Sequence, residues 1–165
     1  LLARYRRVHP ELGQLVLRPG TILGADTRNQ ITDLFEKPVV LGLAGTDVPF
    51  VIVWDRDVAE IIARGVRDRV TGTYNVAGDG VLTLADIARI EGKRLVPLPP
   101  RLLGRALAGL ARFGLTQYGP EQVDFLRYRP VLANDALKAA CPGLPTKTTR
   151  EAYEVYRQGR QHRGG

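Results

Sequence analysis

The chain has 165 residues and contains no serine, no methionine, one cysteine and two histidines. Without serine it cannot form a Ser-His-Asp or Ser-Lys hydrolase site from its own residues. One cysteine and two histidines are too few for a zinc site of Cys and His ligands, so we expect no metal site. Because even position 1 is not methionine, we expect the chain to be a fragment of a longer protein.

Long hydrophobic runs are absent too, since no stretch approaches the ~20 apolar residues of a membrane-spanning helix. No signal peptide is visible, and the single Cys141 fits the reducing environment inside cells. We therefore expect a cytoplasmic protein. The segment 101–113 is basic and amphipathic, so peripheral contact with a membrane is an alternative to packing in a core or lid.

Basic residues outnumber acidic ones by 24 to 17, which gives a net charge of +7. Such an excess can attract nucleic acid, anionic membranes or phosphorylated ligands. The basic residues are scattered, and aromatic residues do not alternate with them as they do in proteins that bind single strands. We therefore expect no nucleic-acid partner; binding through the arginine-rich surface would fall steeply with salt.

Hydrophobic residues make up 44% of the chain and charged residues 25%, which is typical of a globular domain. Apolar β-branched segments alternate with segments of helical periodicity, and this alternation predicts a mixed α/β fold. The stretch 158–165 is polar and glycine-rich, so we expect a flexible tail there. We predict strands over 14–18, 49–54 and 73–77, and helices over 1–8, 31–36, 55–67, 83–90, 101–113 and 134–140, with a last helix from 148.

The helix over 55–67 follows the strongest strand signal in the sequence. Asp55 and Asp57 lie as close together as acid/base or metal-binding carboxylates do. The alternative, which we prefer, is a helix start that favours negative charge, with Asp55 as its cap. The apolar spacing assigns the buried face of this helix to Val58, Ala59, Ile62, Ala63 and Val66.

The glycine-rich turn Gly78–Gly80 lies between a predicted strand and a predicted helix, as phosphate-binding turns do. The dinucleotide fingerprint needs a third glycine, whereas this chain has Thr83. An ordinary turn followed by a capped helix is therefore our expectation. Thr83 with Asp86, and Thr148 with Glu151, have the spacing of capping boxes. Composition and spacing alone indicate an α/β chain and no particular activity.

Segments spread over nearly the whole chain share their order and spacing with one family. They are Leu15–Gly24, Phe50–Ala59 with its Asp-Val-Ala, Gly72–Gly78 followed by Leu82–Ile87, Tyr128–Lys138 with its Arg-Pro, and Pro145–Tyr156. In this pattern the chain resembles the extended short-chain dehydrogenases, also called the NAD(P)-dependent epimerase/dehydratase family.

The resemblance is to the C-terminal half of such an enzyme, because the family's glycine-rich NAD(P) loop and Tyr-x-x-x-Lys catalytic pair lie upstream of the matched segments. It implies the C-terminal part of a Rossmann-like NAD(P)-binding fold plus a small mixed α/β substrate-binding lobe. Residues 1–165 would form a single fragment in which the last Rossmann strands and helices are interleaved with that lobe. Its partner would be the missing N-terminal half. We expect no catalytic residue in this chain and no activity from the chain alone.

The resemblance also implies site residues. The loop at the nicotinamide end of NAD or NADP corresponds to Pro19, Gly20 and Thr21. Because Gly20 has no Cβ, main-chain groups there could approach the nicotinamide ring closely. Arg129 matches an arginine that contacts substrate phosphate through its fork of donors. Trp54 is a second candidate for substrate binding.

These features predict the substrate-binding half of an NAD(P)-dependent epimerase/dehydratase-like oxidoreductase. The whole enzyme would pass a hydride between nicotinamide and a carbinol or carbonyl carbon of a small-molecule substrate. Members that act on sugar nucleotides commonly carry an arginine where this chain has Pro49-Phe50. This difference weakens the assignment of a sugar nucleotide and leaves an apolar alcohol or ketone as the alternative substrate. The alternative is a non-catalytic binding or interaction subunit that retains the fold. A homodimer is compatible with either.

Overall fold

The computed structural model describes residues 2–45, 47, 49–99 and 130–164. Contacts divide the chain into two units, the first with residues 1–27, 51–80 and 132–165 and the second with residues 28–50 and 81–131. Both units combine helices with parallel strand pairs, which confirms the predicted mixed α/β fold. Among the described helices, none is both long and apolar enough to cross a membrane.

The described helices and strands follow one another as α1 (Leu2–Val8), β1 (Leu15–Pro19), β2 (Thr21–Leu23), α2 (Gln30–Glu36), β3 (Val40–Leu43), β4 (Pro49–Phe50), β5 (Ile52–Trp54), α3 (Asp55–Arg67), β6 (Gly72–Val76), β7 (Leu82–Thr83), α4 (Leu84–Glu91), β8 (Leu95–Leu98), α5 (Asp135–Ala140) and α6 (Thr149–Gly164). The predicted helix over 101–113 lies outside the described residues.

Two parallel strand pairs form the sheet structure of the first unit. β1 pairs with β6, and β2 pairs with β5. Only Gly20 separates β1 from β2, so the extended chain exchanges one parallel partner for another at this residue. Parallel strands buried by helices are rich in Val, Ile and Leu, and the main core cluster consists of Val53, Ile61, Val76, Leu137, Cys141 and Leu144.

The second unit contains one parallel and one antiparallel pair. β3 runs parallel to β8, and the short β4 runs antiparallel to β7. Phe35 of α2 and Phe50 of β4 are buried edge to face, with ring centroids 5.6 Å apart. Helices α2 and α4 both begin with capping boxes, the second formed by the predicted pair Thr83 and Asp86.

The single strand predicted over 49–54 is two strands. β4 belongs to the second unit and β5 to the first, and Val51 lies between them. The main-chain carbonyl of Val51 accepts a hydrogen bond from the amide of Thr21, 2.9 Å away. The apolar run therefore does not form one strand. Its first part is buried in the second unit and its last part is buried in the first unit.

The predicted buried face of α3 is wrong at four of its five positions, because Val58 is partly buried against the main core cluster whereas Ala59, Ile62, Ala63 and Val66 are exposed. Asp57, Ile61 and Gly65 are the buried positions of the helix, whereas Ile62 is 48% and Val66 75% exposed. A Cβ on Gly65 would overlap the side chain of Leu15, so the glycine lets α3 lie close to β1. Asp57 is buried by partners from a distant loop, described below. Asp55 is the first residue of the helix, and the N-cap is Trp54.

The predicted flexible tail over 158–165 also differs from the structure, because α6 continues to Gly164. A Cβ on Gly159 would overlap the main chain of Ala25, so the helix lies directly against the loop after β2. Arg163 donates hydrogen bonds to the carbonyl oxygen of Ala25 and to the carboxylate of Asp26, the latter over 2.9 Å. These contacts join the end of α6 to the loop after β2.

Candidate functional site

Gly20 lies at the carboxyl end of β1, where the chain changes partner. Its amide donates to the carbonyl of Val76 over 2.9 Å. A Cβ at this position would lie 2.7 Å from the carbonyl oxygen and 3.1 Å from the Cγ2 of Val51. Glycine is therefore required here for close packing against Val51 inside the protein. Contact of this segment with a cofactor stays a prediction.

The residues on either side of Gly20 are accessible. Pro19, opposite Val76 in the β1–β6 pair, is exposed, and Thr21 is half-buried. The amide of Thr21 is engaged with Val51, while no hydrogen bond to the Thr21 hydroxyl is found within the described part of the chain. Ligands of open α/β sheets bind beyond the carboxyl ends of the strands, and this is where Pro19 lies.

The turn Gly78–Gly80 packs against the main chain of neighbouring segments. A Cβ on Gly78 would lie 2.7 Å from the amide nitrogen of Thr149 and 2.8 Å from the carbonyl oxygen of Ile52. The amide of Thr149, at the start of α6, donates to the carbonyl of Asp79 over 2.9 Å. The glycine thus permits a close approach of protein main chain. The ordinary turn that we expected, followed by a capped α4, is confirmed.

Asp79 in this turn joins α5 to the end of β6. Its carboxylate accepts from the ammonium group of Lys138 over 2.6 and 2.7 Å and from the side-chain amide of Asn134 over 2.9 Å. These hydrogen bonds, the one from Lys138 above all, hold the pKa of Asp79 below its ordinary value of 3.8. Asn134 also donates to the carbonyl of Ala77 over 2.7 Å. The carboxyl end of β6 is thereby fixed by side chains from the last third of the chain.

A second asparagine holds the segment that leads into α5. The side chain of Asn75 in β6 donates to the carbonyl of Ala133 over 3.2 Å. Together with the bond from Asn134 to Ala77, it ties residues 133–134 to β6. The sequence prediction missed both asparagines, because their partners are distant in sequence. Arg129, the predicted substrate contact, lies outside the described residues.

Asp55 and Asp57 do not form an acid/base pair. Asp55 is exposed, and its carboxylate accepts from the amide of Arg56 over 2.8 Å. Asp57 is 2% exposed and accepts from the hydroxyl of Thr146 over 2.6 Å and from the amide of Lys147 over 3.2 Å. Asp57 therefore anchors the loop between α5 and α6 to the start of α3.

Trp54, the other predicted substrate contact, is half-buried at the end of β5. The Lys147 Nζ lies 4.7 Å from the centroid of its ring, and the Arg56 Cζ lies 5.5 Å away. Cations at these distances are attracted to the face of an indole. The structure thus brings Trp54 together with two basic residues. A role of Trp54 toward substrate stays a prediction.

The predicted fold agrees with comparisons to known proteins. No family model matches the chain. An uncharacterized protein of Mycobacterium tuberculosis, Rv0501, is 26% identical over 155 residues, which are 93% of this chain and 41% of that protein. A solved UDP-galactose 4-epimerase is similar over 98% of this chain and 50% of its own, with a TM-score of 0.61 and 19% identity. The UDP-glucose 4-epimerase of Thermus thermophilus, solved in complex with NAD, is similar over 94% of this chain and 50% of its own, with a TM-score of 0.58 and 20% identity.

These similarities establish the fold. The chain is folded like about half of an NAD-dependent epimerase, which is consistent with the C-terminal half that the sequence predicted. It spans less than half the length of the curated mycobacterial protein that it matches.

Proposed function

We propose that the chain is the substrate-binding half of an NAD(P)-dependent epimerase/dehydratase-like oxidoreductase. In the whole protein, a hydride would pass between nicotinamide and a carbinol or carbonyl carbon of a sugar nucleotide or of an apolar alcohol or ketone. The likeness in fold to solved epimerases supports this proposal. We further expect a cytoplasmic protein that works on a small molecule and does not bind nucleic acid.

The change of strand partner at Gly20 is the observation that carries the proposal. At this point β1 ends beside β6 and β2 begins beside β5. Ligands of open α/β sheets bind beyond the carboxyl ends of the strands, and Gly20 directly follows the carboxyl end of β1. Pro19 is exposed at this position and Thr21 is half-buried, so both are accessible to a ligand at this strand end.

The groups around Gly20 limit which hydrogen bonds a nicotinamide amide could form there. The amides of Gly20 and Thr21 already donate to Val76 and Val51, so they cannot also donate to a ligand. The hydroxyl of Thr21 can donate or accept, and main-chain carbonyls can accept a second hydrogen bond. When bound, nicotinamide supplies the hydride chemistry. The segment of this chain would orient the ring, and its packing against Val51 would keep that orientation fixed.

Substrate binding would fall to Arg129 and Trp54. An arginine suits phosphate or carboxylate oxygens because its donors form a planar fork. A few residues after Arg129, the carbonyl of Ala133 accepts from Asn75 of β6, and Asn134 donates to the carbonyl of Ala77 just after that strand. Trp54 would offer an apolar surface, with Lys147 beside it, to a substrate that carries negative charge.

The test is a cofactor titration of the full-length protein, followed by fluorescence of NADH and NADPH. Thr21→Val removes the hydroxyl and keeps the side-chain shape, so we expect affinity to fall about 3- to 10-fold, the scale of one lost hydrogen bond. Thr73→Val, at an exposed position of β6, is the matched control and should leave affinity unchanged. If the full-length protein binds neither cofactor, the non-catalytic alternative replaces this proposal.

A further inference from the structure

The solvent-facing side of α3 is apolar. Ala59, Ile62, Ala63 and Val66 are exposed, Ile62 at 48% and Val66 at 75%. Their spacing of three and four residues places them in one row along the helix, which we call the α3 stripe. The opposite side of the helix, with Ile61, packs in the core of the first unit. Scattered apolar residues on a surface need no explanation, but a continuous row is typical of an interface.

We propose that the α3 stripe binds the α3 stripe of a second copy of this chain, with the two helices antiparallel about a twofold axis. Isologous contacts of this kind are the commonest form of self-association. With the axis between Ile62 and Ala63, each Ile62 faces the second copy's Ala63, and each Val66 faces its Ala59. Every larger side chain then meets a small one, so the helices can pack closely.

The charges beside the stripe select the antiparallel arrangement. Glu60 and Arg67 are exposed and lie on the same flank of α3, because residues seven apart on a helix are nearly in line. The pKa of Arg67 is raised by its hydrogen bond to Asp68 and, more weakly, by the charge of Glu60, so the two flank charges are within reach of each other. In the antiparallel pair each Glu60 faces the second copy's Arg67. In a parallel pair about a twofold axis, the flank that carries both charges would lie on opposite sides of the contact in the two copies, so Glu60 and Arg67 would not meet.

Two further features bear on this contact. Arg56 lies on the same flank nearer the helix start, and its Cζ lies 5.5 Å from the centroid of the Trp54 ring. The helix has 13 residues and is about 20 Å long, so one helix pair buries less than the ~800 Å² per partner of a stable dimer. We therefore expect weak association. The inference does not depend on the proposed oxidoreductase activity.

Site-specific cross-linking in the full-length protein tests the contact directly. Ala63→Cys places a thiol next to the twofold axis, where a short bismaleimide would join two copies. Ala136→Cys, exposed on α5, is the matched control, and the native Cys141 is 2% exposed and should stay unreacted. We expect a linked dimer with Ala63→Cys and little with Ala136→Cys. Equal yields from the two variants would overturn the proposal, even if another surface makes the protein dimeric.

Charge exchange on the Ala63→Cys background provides the second measurement. Glu60→Arg alone and Arg67→Glu alone should each lower the cross-linking yield about 3-fold or more, because each sets like charges against each other. The double variant Glu60→Arg/Arg67→Glu should restore the yield. Both positions are exposed, and thermal melting checks that the variants fold. A double variant that stays as low as either single one contradicts the antiparallel contact.

Discussion

The buried carboxylate of Asp57 accepts a hydrogen bond from the hydroxyl of Thr146, 2.6 Å away and 89 residues later in the chain. The amide of Lys147 donates to the other oxygen of the same carboxylate over 3.2 Å. One acidic side chain at the start of α3 thereby fixes the loop that leads into α6. The same loop carries the ammonium group that lies over Trp54.

Asp57→Ala should destabilise the protein by about 1–3 kcal/mol, because it leaves the hydroxyl of Thr146 and the amide of Lys147 without their acceptor. Urea unfolding measures the change. Asp55→Ala is the control, and it should lower the free energy of unfolding by only about 0.3–1 kcal/mol, the usual contribution of a negative charge at a helix start. Trp54 is the only tryptophan of the chain, so its fluorescence should shift in Asp57→Ala as Lys147 moves. Equal destabilisation by the two variants would show that the buried link contributes nothing.

Gly20→Ala should lower the free energy of unfolding by about 1–3 kcal/mol, the scale of an overpacked site. The added Cβ would lie 2.7 Å from the carbonyl oxygen of Val51, and main chain cannot move aside cheaply. In the control, Gly13→Ala, the nearest atom is a Thr71 methyl at 3.3 Å, so the cost should be smaller. A cofactor titration of Gly20→Ala is informative only beside this unfolding measurement. Unchanged stability would mean that the strand change at Gly20 tolerates a side chain.

The pair of Asp79 and Lys138 should stabilise the protein in a pH-dependent way. The pKa of Asp79 is lowered in the folded protein from its ordinary 3.8, so its contribution is present above that value and is lost as the pH falls through the folded pKa. Because the pair is half-exposed, Asp79→Asn should cost no more than ~1 kcal/mol at pH 7. At pH 3 and below, the difference from the native protein should shrink. Urea unfolding at each pH measures the effect, and Asp47→Asn, at an exposed position, serves as the control. If the stability difference between Asp79→Asn and the native protein did not change with pH, the stabilising pair of Asp79 and Lys138 would be refuted.

Arg129→Lys separates two roles of this arginine in the full-length protein. The lysine keeps the charge and loses the bidentate fork. If Arg129 contacts an anionic substrate, we expect substrate affinity to fall while the melting temperature and the cofactor affinity stay unchanged. A lower melting temperature with unchanged substrate affinity would make Arg129 a structural residue. The substrate would then be an apolar alcohol or ketone rather than a phosphorylated sugar.

Much of the local structure was predictable, because its determinants lie within a few residues of one another. The capping pairs Thr83 with Asp86 and Thr148 with Glu151 join side chains and amides three residues apart, and such spacing is visible in any sequence. The predicted site segment at Gly20 also lies, as expected, at the carboxyl end of a strand. Its glycine has a different cause from the expected one, since the space that a Cβ would fill belongs to Val51.

The sequence by itself determined the α/β class, the starts of α4 and α6 and the apolar character of α3; the tertiary structure decided which side of α3 is buried. On α3 the apolar spacing favoured the side of Ile62 and Val66, yet Gly65 and Asp57 face inward. They do so because Leu15 needs the room left by the glycine and because the loop at Thr146 brings partners to the carboxylate. Hydrophobic spacing measures how apolar a face is. Burial depends also on which distant segment packs against that face, and the residue pattern within one helix does not indicate which segment that is.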